Sequence, residues 1–184
     1  MRQLLLLRHA KSGWDDSGQA DHARPLNARG RQAAHAMAAA MRRLHLAPEL
    51  VLVSTAARTM ETLHALEPFE DSTLVDPLDS LYLAPAPKMI EALQAVPETV
   101  RSVLLIGHNP GMQDLALTLA GNAALAHAAH SDQGANAGLR RLAERYPTCG
   151  LAEFTVAGPW WSLGAGGARL LRFLTPSDLP EFAA

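Results

Sequence analysis

Short, unbroken apolar runs alternate along this chain with longer stretches in which apolar residues recur every three or four positions. The runs are Leu4-Leu5-Leu6-Leu7, Leu50-Val51-Leu52-Val53 and Val103-Leu104-Leu105-Ile106. A run this short, apolar at odd and even positions alike, reads as a strand buried on both faces, as in a parallel sheet. Leu74-Val75 is a weaker signal of the same kind. The stretches between predict helices. The first is capped by Asn27, carries Ala33, Met37, Met41 and Leu44, and ends by Pro48; Arg42, Arg43 and His45 suit the negative end of its dipole. The second buries Met60, Leu63 and Leu66, with Ser54 or Thr55 as its cap. The third starts near Pro87, buries Met89, Ile90, Leu93 and Val96, and ends before Pro97. The fourth follows Pro110, buries Met112, Leu115, Ala116 and Leu119, and stops at Gly121.

Residues 122–148 are rich in alanine, with a short helix predicted over Gly138 to Tyr146 and loop elsewhere. Leu151 to Val156 and Arg169 to Leu174 read as two late, mutually antiparallel strands joined through a Gly/Trp segment. Strand–helix alternation of this kind argues an α/β fold: a mainly parallel sheet with helices on its faces.

Composition narrows the picture. The 184 residues predict a single domain, 1–184, with 48% hydrophobic residues. A net charge of −2, without a dense lysine/arginine cluster, argues against a nucleic-acid partner. No stretch is long enough to predict a membrane span. The apolar run at residues 4–7 is too short for a signal peptide and leads straight into Arg8-His9-Ala10-Lys11. A lone cysteine, Cys149, cannot form an intramolecular disulfide, which points to the cytoplasm. Oligomeric state has no signature in the sequence.

The chemistry gathers at strand ends. Arg8-His9 closes the first run, Ser54 to Arg58 follows the second, and His108 follows the third. Parallel strands present their carboxyl ends together, the edge where open α/β sheets bind ligands. His9, Arg8, Arg58 and His108 should therefore converge. Arg58 falls in the first turn of its helix, where a cation opposes the dipole unless an anion lies between. Two guanidiniums and two imidazoles suit a phosphoryl group: arginine pairs its oxygens and stays charged, and a neutral imidazole can attack phosphorus. The neighbouring arginines should lower the His9 pKa by like-charge repulsion.

Four motifs lie in order: Leu7-Arg8-His9-Ala10-Lys11-Ser12, Pro25-Leu26-Asn27-Ala28-Arg29-Gly30, Ser54-Thr55-Ala56-Ala57-Arg58-Thr59-Met60-Glu61-Thr62 and Gly107-His108-Asn109-Pro110. Together they resemble the histidine phosphatase superfamily, and the short length resembles its SixA-like phosphohistidine phosphatase branch. The resemblance covers most of residues 1–120 and resumes at Tyr146 to Phe154 and at Leu174-Thr175-Pro176. It implies a three-layer α/β/α sandwich of the phosphoglycerate mutase-like kind. It implies that His9 accepts the phosphoryl group, that Arg8 and Arg58 hold its oxygens with His108 beside them, and that neither metal nor other cofactor is needed. A phosphorylated protein bearing phosphohistidine is the implied substrate. A small phosphomonoester or nucleotide is the alternative, and a non-catalytic phosphate- or phosphoprotein-binding module the rival from another class.

The chain departs from the family pattern at several points. Ala10 replaces the glycine of Arg-His-Gly, which requires a negative φ there. Lys11 stands where many relatives have glutamate, and Asp15 where mutase-like relatives have a phosphate-touching asparagine. No glutamate lies between Leu74 and Leu83, leaving Asp79 as the candidate proton donor. Without a strong acid the substrate needs a good leaving group, as phosphohistidine has. His22, His35, His45, His64, His127 and His130 show no metal-ligand spacing, and His127 and His130 are expected in solvent. Cys149 reads as a small buried residue. Trp160-Trp161 reads as a substrate-facing patch or as a buried turn.

Overall fold

A computed structural model describes residues 1–13, 18–70, 72–129 and 134–182. Asp15 and His130, singled out above, lie outside the described residues, as does part of the loop after His9. The strands are β1 (Arg2–Arg8), β2 (Leu50–Ser54), β3 (Leu74–Leu78), β4 (Ser102–Gly107), β5 (Leu151–Val156) and β6 (Ala168–Leu174). The helices are α1 (Ala28–Arg43), α2 (Ala57–Leu66), α3 (Ala86–Gln94), α4 (Gly111–Ala120), α5 (Asn122–Ala128) and α6 (Gly134–Glu144). The sheet runs β3-β2-β4-β1-β5-β6. The pairs β3/β2, β2/β4 and β4/β1 are parallel; β1/β5 and β5/β6 are antiparallel. The sheet is thus mainly parallel, with β5 the one reversed strand among the described residues.

The four-leucine run explains the layering. Leu4 and Leu6 face a core shared with Met89 and Leu93 of α3, Leu115 of α4 and Leu142 of α6. Leu5 and Leu7 face the opposite core, with Met37 of α1 and Leu63 of α2. All four leucines are fully buried. Helices therefore cover both faces, and the molecule is an α/β/α sandwich. Among the described residues no helix is long and apolar enough to cross a membrane.

Several local expectations are corrected. Residues 122–128 form a helix where loop was expected, and α6 begins at Gly134 rather than Gly138. Alone in α5, Ala128 is buried, so the segment carries no apolar stripe to betray it. Neither Ser54 nor Thr55 caps α2; Ala56 holds that position without a side-chain bond. Pro87 occupies the second rather than the first position of α3. Met60 is only half-buried. Asn27 does cap α1, accepting from the Gly30 N–H at 2.8 Å, and Gly121, with φ +80°, ends α4 where a side chain would be strained. Trp160 is buried and donates to the Val100 carbonyl at 2.8 Å, whereas Trp161 is exposed.

Candidate active site

The carboxyl ends of β1 and β4 deliver Arg8-His9 and His108 to one cavity of about 390 Å³, which Arg58 also lines from the first turn of α2, while Ser54, at the end of β2, is buried behind His108. Strand register sets the pairing. Arg8 is opposite Gly107 across the β1/β4 ladder, so His9 and His108, each one residue further, are neighbours. Their ring centroids are 5.2 Å apart, tilted by 55°. All four residues singled out in the sequence line this cavity.

His9 is 7% exposed and its orientation is fixed. Its backbone N–H donates to the Gly107 carbonyl at 3.1 Å. Its Nδ1 lies 2.7 Å from the Ala10 carbonyl. A carbonyl only accepts, so Nδ1 carries the proton and Nε2 of the neutral ring keeps its lone pair. The turn beneath is held twice. The Ala10 N–H donates to Thr62 Oγ1 at 3.0 Å, and the Cys149 N–H is shared between the Arg8 and His9 carbonyls, 3.1 Å each. Cys149 achieves this with φ +60°, while Ala10 has no positive φ, meeting the requirement set by replacing glycine.

His108 is 2% exposed, with Nε2 2.8 Å from Ser54 Oγ. Ser54 lies two residues ahead of Ala56, the N-cap of α2, and its oxygen also accepts from the Ala56 N–H at 3.4 Å. Tyr82 stands edge-on to the His108 ring at 5.5 Å. Both imidazoles are held neutral well below their ordinary 6.5. His9 is lowered to about 4, chiefly by burial, with Arg58, Arg8 and Arg24 adding repulsion against the opposing pull of the Ala10 carbonyl. His108 is lowered to about 3, again chiefly by burial, then by His9 and Arg58. Burial, rather than arginine repulsion, is thus the larger cause.

Arg8 donates through Nη1 to the Tyr146 carbonyl at 2.7 Å, and Asn109 donates to the same oxygen at 3.1 Å. Tyr146 is anchored in turn by its hydroxyl on the Leu6 carbonyl at 2.7 Å. Arg58, 2% exposed, donates to the Asp21 carbonyl at 2.6 Å and to Asp21 Oδ2 at 3.0 Å. The Nε atoms of Arg8 and Arg58 and Nδ1 of His108 are buried without a hydrogen-bond partner among the described residues.

The sequence reading missed Asp21 and Tyr82. Asp21 sits on a short helical turn, Asp21–Ala23, in the loop after His9; its Oδ2 accepts from both Arg58 and the Tyr82 hydroxyl, the latter at 2.6 Å. The Tyr82 hydroxyl, then Arg58 and Arg24, hold its carboxyl below the usual range, against some burial. Its only sequence signal was membership of that long loop. Asp79, the candidate acid from the sequence, is not in the cavity lining; it accepts from Thr55 at 2.6 Å. His127 is exposed. Among the described residues no group of three or more His, Cys, Asp or Glu side chains is placed to share a cation.

Comparison with known proteins points one way. Residues 4–79 match the model of the histidine phosphatase superfamily (branch 1). Rv1276c of Mycobacterium tuberculosis, named only as an uncharacterized protein, is 35% identical over 175 residues, covering 92% of this chain and 99% of its own. Among solved structures, the candidate phosphohistidine phosphatase SixA of Nakamurella multipartitia superposes with a TM-score of 0.78 at 32% identity, covering 95% of this chain and 96% of that one. The SixA candidate of Agrobacterium tumefaciens gives 0.76 at 31% identity, covering 95% and 98%.

Proposed function

The chain belongs to the histidine phosphatase superfamily, and on that premise we propose that it removes phosphoryl groups from phosphohistidine in proteins through a covalent intermediate on His9. The observation that carries this reading is the Nδ1 contact of His9 with the Ala10 carbonyl, which frees Nε2 beside two guanidiniums. In the first step Nε2 forms a bond to phosphorus as the substrate's P–N bond breaks. Arg8 and Arg58 hold the phosphoryl oxygens. In this reading the Ser54 hydroxyl donates to His108 Nε2, so that the neutral ring carries its proton on Nδ1, which is buried without another partner among the described residues, and donates to the transferring group. In the second step water takes the phosphoryl group from His9 and releases phosphate.

Asp21 favours phosphohistidine over an alkyl phosphate as substrate. Its carboxyl, held low by Tyr82 and Arg58, is ionised at neutral pH and has no proton to give an alkoxide. A phosphohistidine protonated on its other ring nitrogen departs as neutral imidazole and needs none. The same fit of an imidazole leaving group brings the SixA names of the similar structures to this chain. The whole chain acts as one domain in this reading, because the cavity draws on residues from Arg8 to Thr148 and β5 pairs with the strand carrying Arg8. The unpaired, buried Cys149 is in keeping with a cytoplasmic setting.

Phosphate trapping tests the proposal. Brief exposure to a labelled phosphohistidine peptide should leave an acid-labile, base-stable adduct on the wild type and none on His9→Ala. Binding without any adduct would make the chain a phosphoprotein-binding module, and faster cleavage of alkyl phosphates than of phosphohistidine would overturn the substrate assignment.

A further inference from the structure

Beside the phosphoryl cavity lies a second and larger one, of about 520 Å³, walled by α1, the end of α6 and the segment after β6. The two share Lys11 and Thr148 and so form one continuous depression. Resting on the phosphohistidine reading above, we propose that this second cavity is a subsite for acidic residues flanking the phosphohistidine of a substrate protein.

Charge is the first argument. Lys11, Arg29, Arg141 and Arg145 line the cavity against a single acid, Glu144, although the chain as a whole is acidic, at −2. Arg141 is already engaged by Asp178 at 2.7 Å and lies over the Phe173 ring. Arg29 and Arg145 are exposed, and no described residue forms a hydrogen bond or ion pair with either guanidinium. Position is the second argument. Arg29 stands in the first turn of α1, where a cation opposes the helix dipole and a bound carboxylate relieves the conflict. Arg145 is near enough to Arg8 for its charge to bear on that guanidinium, so the positive field runs unbroken from one cavity into the other.

Size is the third. A phosphoryl group with a small alcohol is accommodated within the first cavity, of about 390 Å³, and has no need of the second. A polypeptide anchored by its phosphohistidine extends into it, and carboxylates on that polypeptide meet Arg29 and Arg145 at the mouth. Such exposed pairs act mainly on encounter and discrimination, and they are weakened by salt.

The test compares three substrates: free phosphohistidine, a phosphohistidine peptide flanked by Asp and Glu, and the same peptide with Asn and Gln. At low salt the wild type should show kcat/KM at least about fivefold higher on the acidic peptide than on its neutral counterpart, with the preference shrinking in about 0.5 M salt. The double variant Arg29→Gln, Arg145→Gln should lose that preference and keep its rate on free phosphohistidine. Equal rates on the two peptides in the wild type, or a variant slowed alike on all three substrates, would overturn the subsite. Fluorescence anisotropy with the unphosphorylated acidic peptide separates this outcome from failure of the catalytic reading: binding that needs Arg29 and Arg145, in a protein that turns over none of the substrates, would uphold the subsite and retire the phosphatase.

Discussion

Asp21 grips both terminal nitrogens of Arg58, its carbonyl oxygen on Nη1 at 2.6 Å and its Oδ2 on Nη2 at 3.0 Å. The guanidinium proposed to hold phosphoryl oxygens is therefore already facing an anion. An incoming phosphate must share Arg58 with that carboxylate or displace it.

Asp21→Asn keeps the shape and removes the charge. Inorganic phosphate should then inhibit more strongly, its inhibition constant falling at least about threefold, since one like charge leaves the cavity. Competitive inhibition assays read this directly. Weaker inhibition would mean that Asp21 matters more for holding Arg58 in place than for repelling the phosphate.

The lowered imidazoles set the pH behaviour. Attack needs His9 neutral, and it is neutral above about 4. The rate on an acid-stable substrate analogue should hold from pH 7 down to about 5 and fall only near 4. An acid limb centred on 6.5, the ordinary imidazole value, would contradict the burial of His9.

Stability should follow the same residue. Unfolded, His9 binds a proton below 6.5; folded, it does so only below about 4. Between those values the unfolded chain takes up the extra proton, so stability is full above 6.5 and declines as the pH drops toward 4. His9 alone accounts for about 3 kcal/mol of that decline. Urea unfolding of wild type and His9→Gln from pH 7 to 4 should show a shallower loss in the variant.

Ser54 is placed to act through His108. Removing its hydroxyl by Ser54→Ala leaves His108 Nε2 without a described partner and frees the ring to turn. We expect kcat to fall about tenfold with KM changed less, and stability to drop by about 1 kcal/mol. Equal loss in Ser54→Ala and Ser54→Thr would indicate packing rather than the hydroxyl.

Gly30 tests the turn after His9. A Cβ built there would sit 2.0 Å from the Lys11 carbonyl oxygen, a backbone atom that also accepts from the Asn27 N–H at 3.0 Å. Gly30→Ala must push the Lys11 segment away from α1. Loss of about 2 kcal/mol or more, together with reduced activity, is expected from denaturation and rate measurements.

Much of this was legible in the sequence. Leu4 to Leu7 announced a strand buried on both faces, and parallel topology then forced Arg8, His9, Arg58 and His108 to one edge without any knowledge of the loops. What escaped depended on contacts that no local pattern encodes. Asp21 and Tyr82 meet from segments 61 residues apart. Ser54 looked like a helix cap because capping is a local rule, yet its hydroxyl faces His108, 54 residues on. The seven residues of α5 bury only Ala128, leaving no periodicity to read. The low His9 pKa was foreseen for the lesser reason: arginines are visible in a sequence, whereas the depth of a side chain is not.

The β1/β4 ladder works as a ruler. Because Arg8 and Gly107 are paired partners and the two imidazoles come next on adjoining strands, their separation is a property of the sheet's own spacing and owes nothing to connector length. The segments that join these strands can therefore be lengthened, shortened or rewritten while the pair at the centre keeps its interval.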